Sequence, residues 1–111
     1  MSEEIKKYLL DIRISGEAIG EYLGEKRDYN LYVNNRQLRR AIEREFEIIG
    51  EAMKKLLLLD PNIAISNSRK IIAARNVIAH EYDNIQDEIL WSIIVNHLPL
   101  LLKEVNQLYN S

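Results

Sequence analysis

Asn35-Arg36-Gln37-Leu38-Arg39-Arg40-Ala41-Ile42-Glu43-Arg44-Glu45-Phe46-Glu47-Ile48-Ile49-Gly50-Glu51-Ala52-Met53-Lys54-Lys55-Leu56-Leu57-Leu58-Leu59 is the stretch whose periodicity decides the fold. Leu38, Ile42, Phe46, Ile49, Met53 and Leu56 recur at steps of three and four, the repeat of one helix face. Ala41, Ala52 and Leu57 widen the stripe. Asn34 or Asn35 can cap the start, and Asp60-Pro61 stops the run, since a residue before proline is driven out of helical backbone. The spacing predicts a helix over 33–59. Glu43, Glu47 and Glu51 follow one another at steps of four on a second face. Such a row reads first as a solvated face. The alternative is that Glu47 or Glu51 pairs with Arg75 or orients an active group.

The flanking segments read the same way. Ile5, Leu9, Ile12, Ile19 and Leu23 mark a first helix over 3–24, with Gly16 leaving a shallow spot in the same register for another helix. Gly20 and Gly24 weaken its last turn, and 26–32 reads as a connection. A third helix begins near 66–68, where any of Ser66, Asn67 and Ser68 can cap it, and Ile71, Ile72, Ala74, Val77 and Ile78 supply its buried side. Asp83-Asn84 signals a turn. A fourth helix covers 85–109, with Asn84 and Asp87 as a capping pair and Asp87 and Glu88 at its positive end. Ile89, Ile93, Leu101, Val105 and Leu108 can face the core, and Pro99 should kink or break the helix. Nothing alternates with a period of two over a useful length. The expectation is an all-α fold: an antiparallel up-down bundle of four main helices, five if Pro99 splits the last, in a single domain spanning 1–111. The runs 56–59 and 98–102 hold more apolar surface than one stripe can bury, so a homodimer through a helix face is expected.

Composition narrows the function classes. With 47% hydrophobic and 29% charged residues the chain is globular, and without cysteine it has neither a disulfide framework nor a thiolate metal site. Its two histidines, His80 and His97, do not complete a zinc site, so no metal and no cofactor are expected. His97, in an apolar helix beside Leu98, reads as a core or interface residue, and Trp91 and Phe46 as packing residues. The acidic start lacks a signal sequence, and no run reaches the roughly 18 apolar residues of a membrane span. A cytoplasmic protein is expected. A net charge of -2 argues against a sequence-independent grip on long nucleic acid. Local basic clusters remain at Arg36, Arg39, Arg40 and Arg44, and at Arg69, Lys70 and Arg75.

Arg75-Asn76-Val77-Ile78-Ala79-His80-Glu81-Tyr82 is where chemistry concentrates. Guanidinium is a fork that grips phosphate, and imidazole exchanges protons near neutrality. In an unbroken helix Arg75 and His80 point roughly 140° apart, so one chain alone makes an awkward site. A two-fold axis beside these helices would offer two imidazoles and two guanidiniums to one phosphate. Such a pair suits metal-free RNA cleavage, where the 2′-hydroxyl is the built-in nucleophile and one base and one acid are needed. The bland reading is a helix-end network of Arg75, His80 and Tyr82 with Glu51 or Glu81, His80 simply favouring the negative end of the helix dipole.

The Arg-x4-His-x-Tyr pattern, from Arg75 through His80 to Tyr82 with Asn76 after the arginine, resembles the HepT-like proteins of the HEPN superfamily. Two further blocks resemble them, in the expected order: 40–52, and Leu90-Trp91-Ser92-Ile93-Ile94 followed by Leu98-Pro99. The resemblance covers essentially the whole chain. It implies a homodimeric helical bundle with the Arg75 and His80 of both chains in a cleft. It implies a metal-independent endoribonuclease, the toxin of a toxin–antitoxin pair. Arg75 and His80 would be catalytic, with Asn76 and Tyr82 in support. The partner it implies is a nucleotidyltransferase antitoxin that can transfer AMP to Tyr82, adding charge and bulk where RNA phosphate must sit. The competing function is a non-catalytic, nucleotide- or substrate-binding partner subunit of a nucleotidyltransferase. A third reading is a plain helical dimer.

Overall fold

The structure is a computed structural model that describes residues 1–79 and 85–111, apart from the side chains of Val77, Ala79, Ile85 and Gln86. Among the described residues the protein is all-helical, with six helices and no strand. They are α1 (Glu3–Leu23), α2 (Tyr29–Val33), α3 (Arg36–Leu59), α4 (Ser68–Ala79), α5 (Ile85–Asn96) and α6 (Leu98–Tyr109). The Asp83-Asn84 turn and the capping role of Asn84 lie outside the described residues.

Helix α3 is the axle: α1 packs along it most extensively, and α4 and α2 also contact it. Its expected stripe is the core, with Ile42, Phe46, Ile49, Met53 and Leu56 fully buried and Leu38 packed at the margin. The Asn35 side chain accepts from the Leu38 N–H at 3.0 Å and so fixes the first turn. The chain leaves α3 at Asp60, as Pro61 requires. On α1, Leu9, Ile12 and Ile19 are buried, and Gly24 ends the helix at φ +73°, the left-handed region that glycine tolerates. The shallow spot at Gly16 receives Leu102 of α6. Pro99 does divide the last segment. It sits in the first turn of α6, where its missing N–H costs no intrahelical bond.

Three expectations need correction. The connection over 26–32 contains a one-turn helix. The Asp28 carboxylate accepts from the N–H groups of Asn30 and Leu31 at 2.9 and 3.3 Å, which caps α2, and Tyr32 is then wholly buried against Tyr29 and Trp91. Ile89 does not face the core: it is 39% exposed, and Leu90, Ile93 and Ile94 take the interior side of α5. Helix α5 is apolar on several sides, so periodicity did not single out one of them. Ser66 offers no cap to α4. Its N–H and hydroxyl both donate to the Glu104 carboxylate, at 3.0 and 2.9 Å, which ties the approach to α4 onto α6.

Candidate active-site cleft

Arg75 is placed by a glycine. A methyl group added to Gly50 of α3 would come within 2.8 Å of the Arg75 Cβ and 3.1 Å of its Cδ. The missing side chain therefore lets α4 lie directly on α3 with the Arg75 stem across the contact. The guanidinium emerges one residue further along, where Nη2 meets Glu51 Oε2 at 3.2 Å. Both side chains are nearly half exposed, 40% and 46%. The pair orients Arg75 at modest energetic cost, and a phosphate can displace the carboxylate.

The acidic row is only partly a solvated face. Glu51 holds Arg75, the outcome read as the alternative from sequence. Glu47 pairs with Arg44 at 3.3 Å, and Glu43 is 6% exposed. Extending the row back by one step reaches Arg39, whose guanidinium meets Asp87 of α5 at 3.3 Å, with the Asp87 side chain only 4% exposed. One line of α3 thus binds α4 at Arg75 and α5 at Asp87, and residues 80–84 join those two helices. The Arg39 and Glu51 Cα atoms are about 18 Å apart along the helix axis at the standard rise.

Beneath the Arg39–Asp87 pair, the buried Tyr32 hydroxyl has no hydrogen-bond partner among the described residues, nor does Arg39 Nε. Burial drives the Tyr32 phenol well above its ordinary pKa, and the nearby Asp87 and Glu43 carboxylates push the same way. Tyr29 is raised by burial and then by Glu88 and Asp87. The Tyr22 phenol is raised by its 2.8 Å hydrogen bond to Glu45.

Arg75 borders a cleft of about 610 Å³ between α1, α3 and α4. Arg44, Lys55, Lys7 and Tyr8 also line it, together with the carboxylates of Asp11, Glu47 and Glu51. It is large enough for a nucleotide-sized ligand, since ligand sites span roughly 300–1,000 Å³. Asn76 follows Arg75 on α4 and is exposed. His80 and Tyr82 lie outside the described residues. His97 is half-buried at the start of α6, where its side chain makes no capping bond. Among the described residues no group of three or more His, Asp or Glu could hold a metal ion.

Sequence reasoning missed Gly50 as a determinant of Arg75, although an isolated glycine inside a strong helical pattern is a usable signal. Nothing in the local sequence announced the Arg39–Asp87 pair, whose members lie 48 residues apart.

A family model described as "Ribonuclease HepT-like" matches residues 3–108. A Methanocaldococcus jannaschii protein named "Putative RNase" is 32% identical over 106 residues, which is 92% of this chain and 94% of that protein. A Caldanaerobacter subterraneus protein of the same printed name is 32% identical over 81 residues, 69% of this chain and 70% of its own. A second from M. jannaschii is 24% identical over 110 residues, 96% and 88% of the two chains. No solved structure gives a significant match.

Proposed function

Because the chain belongs to the HepT-like ribonuclease family, we propose that it is a metal-independent endoribonuclease, acting in the cytoplasm as the toxin of a toxin–antitoxin pair. The observation that carries the reading is Arg75, the first residue of the family-like Arg-x4-His-x-Tyr pattern, held at the edge of a nucleotide-sized cleft by an exchangeable carboxylate. The main helices form an antiparallel up-down bundle, and two copies pair so that each contributes Arg75 and His80 to one RNA groove.

In that groove one His80 imidazole takes the proton from a 2′-hydroxyl, and the 2′-oxygen attacks the adjacent phosphorus. The bond from phosphorus to the 5′-oxygen breaks, and the partner subunit's His80, protonated beforehand, gives that oxygen its proton. The two Arg75 guanidiniums leave their Glu51 partners and stabilise the charge growing on the phosphoryl oxygens. Asn76 holds the imidazole or the substrate, and Tyr82 binds phosphate or sugar. A nucleotidyltransferase antitoxin silences the toxin by placing AMP on Tyr82.

The test is cleavage of a single-stranded RNA by purified protein in the presence of a chelator. Wild type should cut, and His80→Ala and Arg75→Ala should each lose at least about a hundredfold, the usual scale of an acid–base or electrostatic contribution. A 2′-deoxy substitution at the cleavage position should also stop the reaction. Cleavage that is equal in all three proteins would reject the assignment. Binding of RNA without turnover by any of them would favour the non-catalytic partner subunit.

A further inference from the structure

Beyond Arg75, the cleft contains an arrangement that the reaction itself does not use. Tyr8 of α1 is half-buried in its wall, and two ammonium groups lie over its ring. Lys7 Nζ is 4.6 Å from the ring centroid and Lys55 Nζ, from α3, is 5.5 Å away. Among the described residues Lys55 makes no ion pair, whereas Lys7 makes a loose one with Asp11 at 3.7 Å. Two exposed cations over one half-buried aromatic ring are the components of a single-strand nucleotide site. A base entering the cleft would displace the ammonium groups from the ring face, and they would then meet the phosphates on either side. We propose that Tyr8, Lys7 and Lys55 form a base-stacking subsite for an unpaired nucleotide near the scissile phosphate at Arg75.

The cleft's carboxylates do not oppose this assignment. Asp11, Glu47 and Glu51 each partner a cation that stays exposed, and such pairs exchange readily for phosphate. A duplex is excluded, because its bases are stacked on each other and have no free face for Tyr8. The subsite therefore confines the enzyme to single-stranded RNA without reading sequence by hydrogen bonds.

The proposal rests on the ribonuclease reading for its substrate, but its test does not require turnover. Binding of a short fluorescein-labelled unstructured RNA is followed by anisotropy in the His80→Ala background. Tyr8→Leu keeps the apolar packing and removes the π-face, and should weaken binding by about tenfold, the scale of one stacked base. Tyr8→Phe should bind as the parent does. Lys55→Ala should flatten the dependence of log K on log salt by about 0.7, the value of one phosphate contact on a single strand. The same RNA annealed to its complement should bind weakly and show no dependence on Tyr8. Unchanged binding by Tyr8→Leu, with an unchanged melting temperature, overturns the subsite, as does a Tyr8→Phe loss equal to that of Tyr8→Leu. If wild type fails to cleave while Tyr8→Leu still loses affinity, the catalytic reading falls and the subsite stands.

Discussion

Tyr32 brings a hydroxyl into the core and leaves it without a partner among the described residues. A buried hydroxyl that has lost its water contacts without gaining a bond destabilises the fold by about 1–3 kcal/mol. Tyr32→Phe keeps the ring against Trp91 and removes that cost, so it should raise stability by about 1 kcal/mol. Its phenol pKa is raised above the ordinary value by burial and by the Asp87 and Glu43 carboxylates. Below about pH 10 the phenol is neutral in both folded and unfolded chains. Above it the unfolded chain ionises first, so stability is lost as pH rises toward the higher folded value. Urea midpoints between pH 8 and 11 should therefore fall in wild type, and fall less steeply in Tyr32→Phe. A lower midpoint for the variant at pH 8 would contradict the orphaned hydroxyl. At this scale the sequence was only partly legible. Arg75 could be singled out because a forked cation among small apolar neighbours is unusual. Tyr32 could not, since Asp87 and Trp91 of α5, which help enclose it, lie more than fifty residues away in the chain.

Two glycines in helix interiors show how elements are positioned, and their substitutions should differ in cost. Gly50→Ala gains helix propensity of about 0.5–1 kcal/mol. It also drives a methyl to 2.8 Å from the Arg75 Cβ, an atom fixed to the α4 backbone, so the two helices must separate. Overpacking of that kind costs about 1–3 kcal/mol, and the net result should be a loss of about 1 kcal/mol together with impaired RNA cleavage. At Gly16 the nearest atom is the Leu102 Cδ2 methyl at 2.5 Å. Leu102 is a half-buried side chain that can rotate away, so Gly16→Ala should be near neutral and leave cleavage intact. Urea midpoints of the two variants check the difference, and equal values would mean that the α3–α4 crossing is not held by Gly50. Most of the helical elements were legible, because α1 and α3 carry clear stripes, Asn35 is a strong cap, and Pro99 cannot sit in a helix interior. The failures share a cause. Helix α2 is too short for periodicity to register, and α5 is too evenly apolar for it to choose a side.

For the whole molecule, the exposed apolar surface offers the proposed homodimer two ways of pairing. At the end of α3, Leu58 and Leu59 are 78% and 43% exposed, and Leu100 of α6 is 41% exposed. These belong to the runs that predicted a homodimer from sequence. A second apolar surface lies over α4 and α5, where Ile89 is 39% exposed and Ala73 borders the groove between the helices. Only the second includes the helix that carries Arg75. A composite site of two guanidiniums and two imidazoles requires pairing that includes α4, whatever the leucines do, and Ile89 lies across the groove from that helix. Ile89→Lys puts a charge on that surface without opening the core. It should convert the protein to monomers in sedimentation equilibrium and remove RNA cleavage, while leaving the helical circular dichroism unchanged. Leu58→Lys should preserve cleavage, even if it alters higher association. If Leu58→Lys instead gives monomers that still cleave, each chain must carry a complete site. The roughly 140° between Arg75 and His80 on a continuous helix would then have to be closed within one protomer.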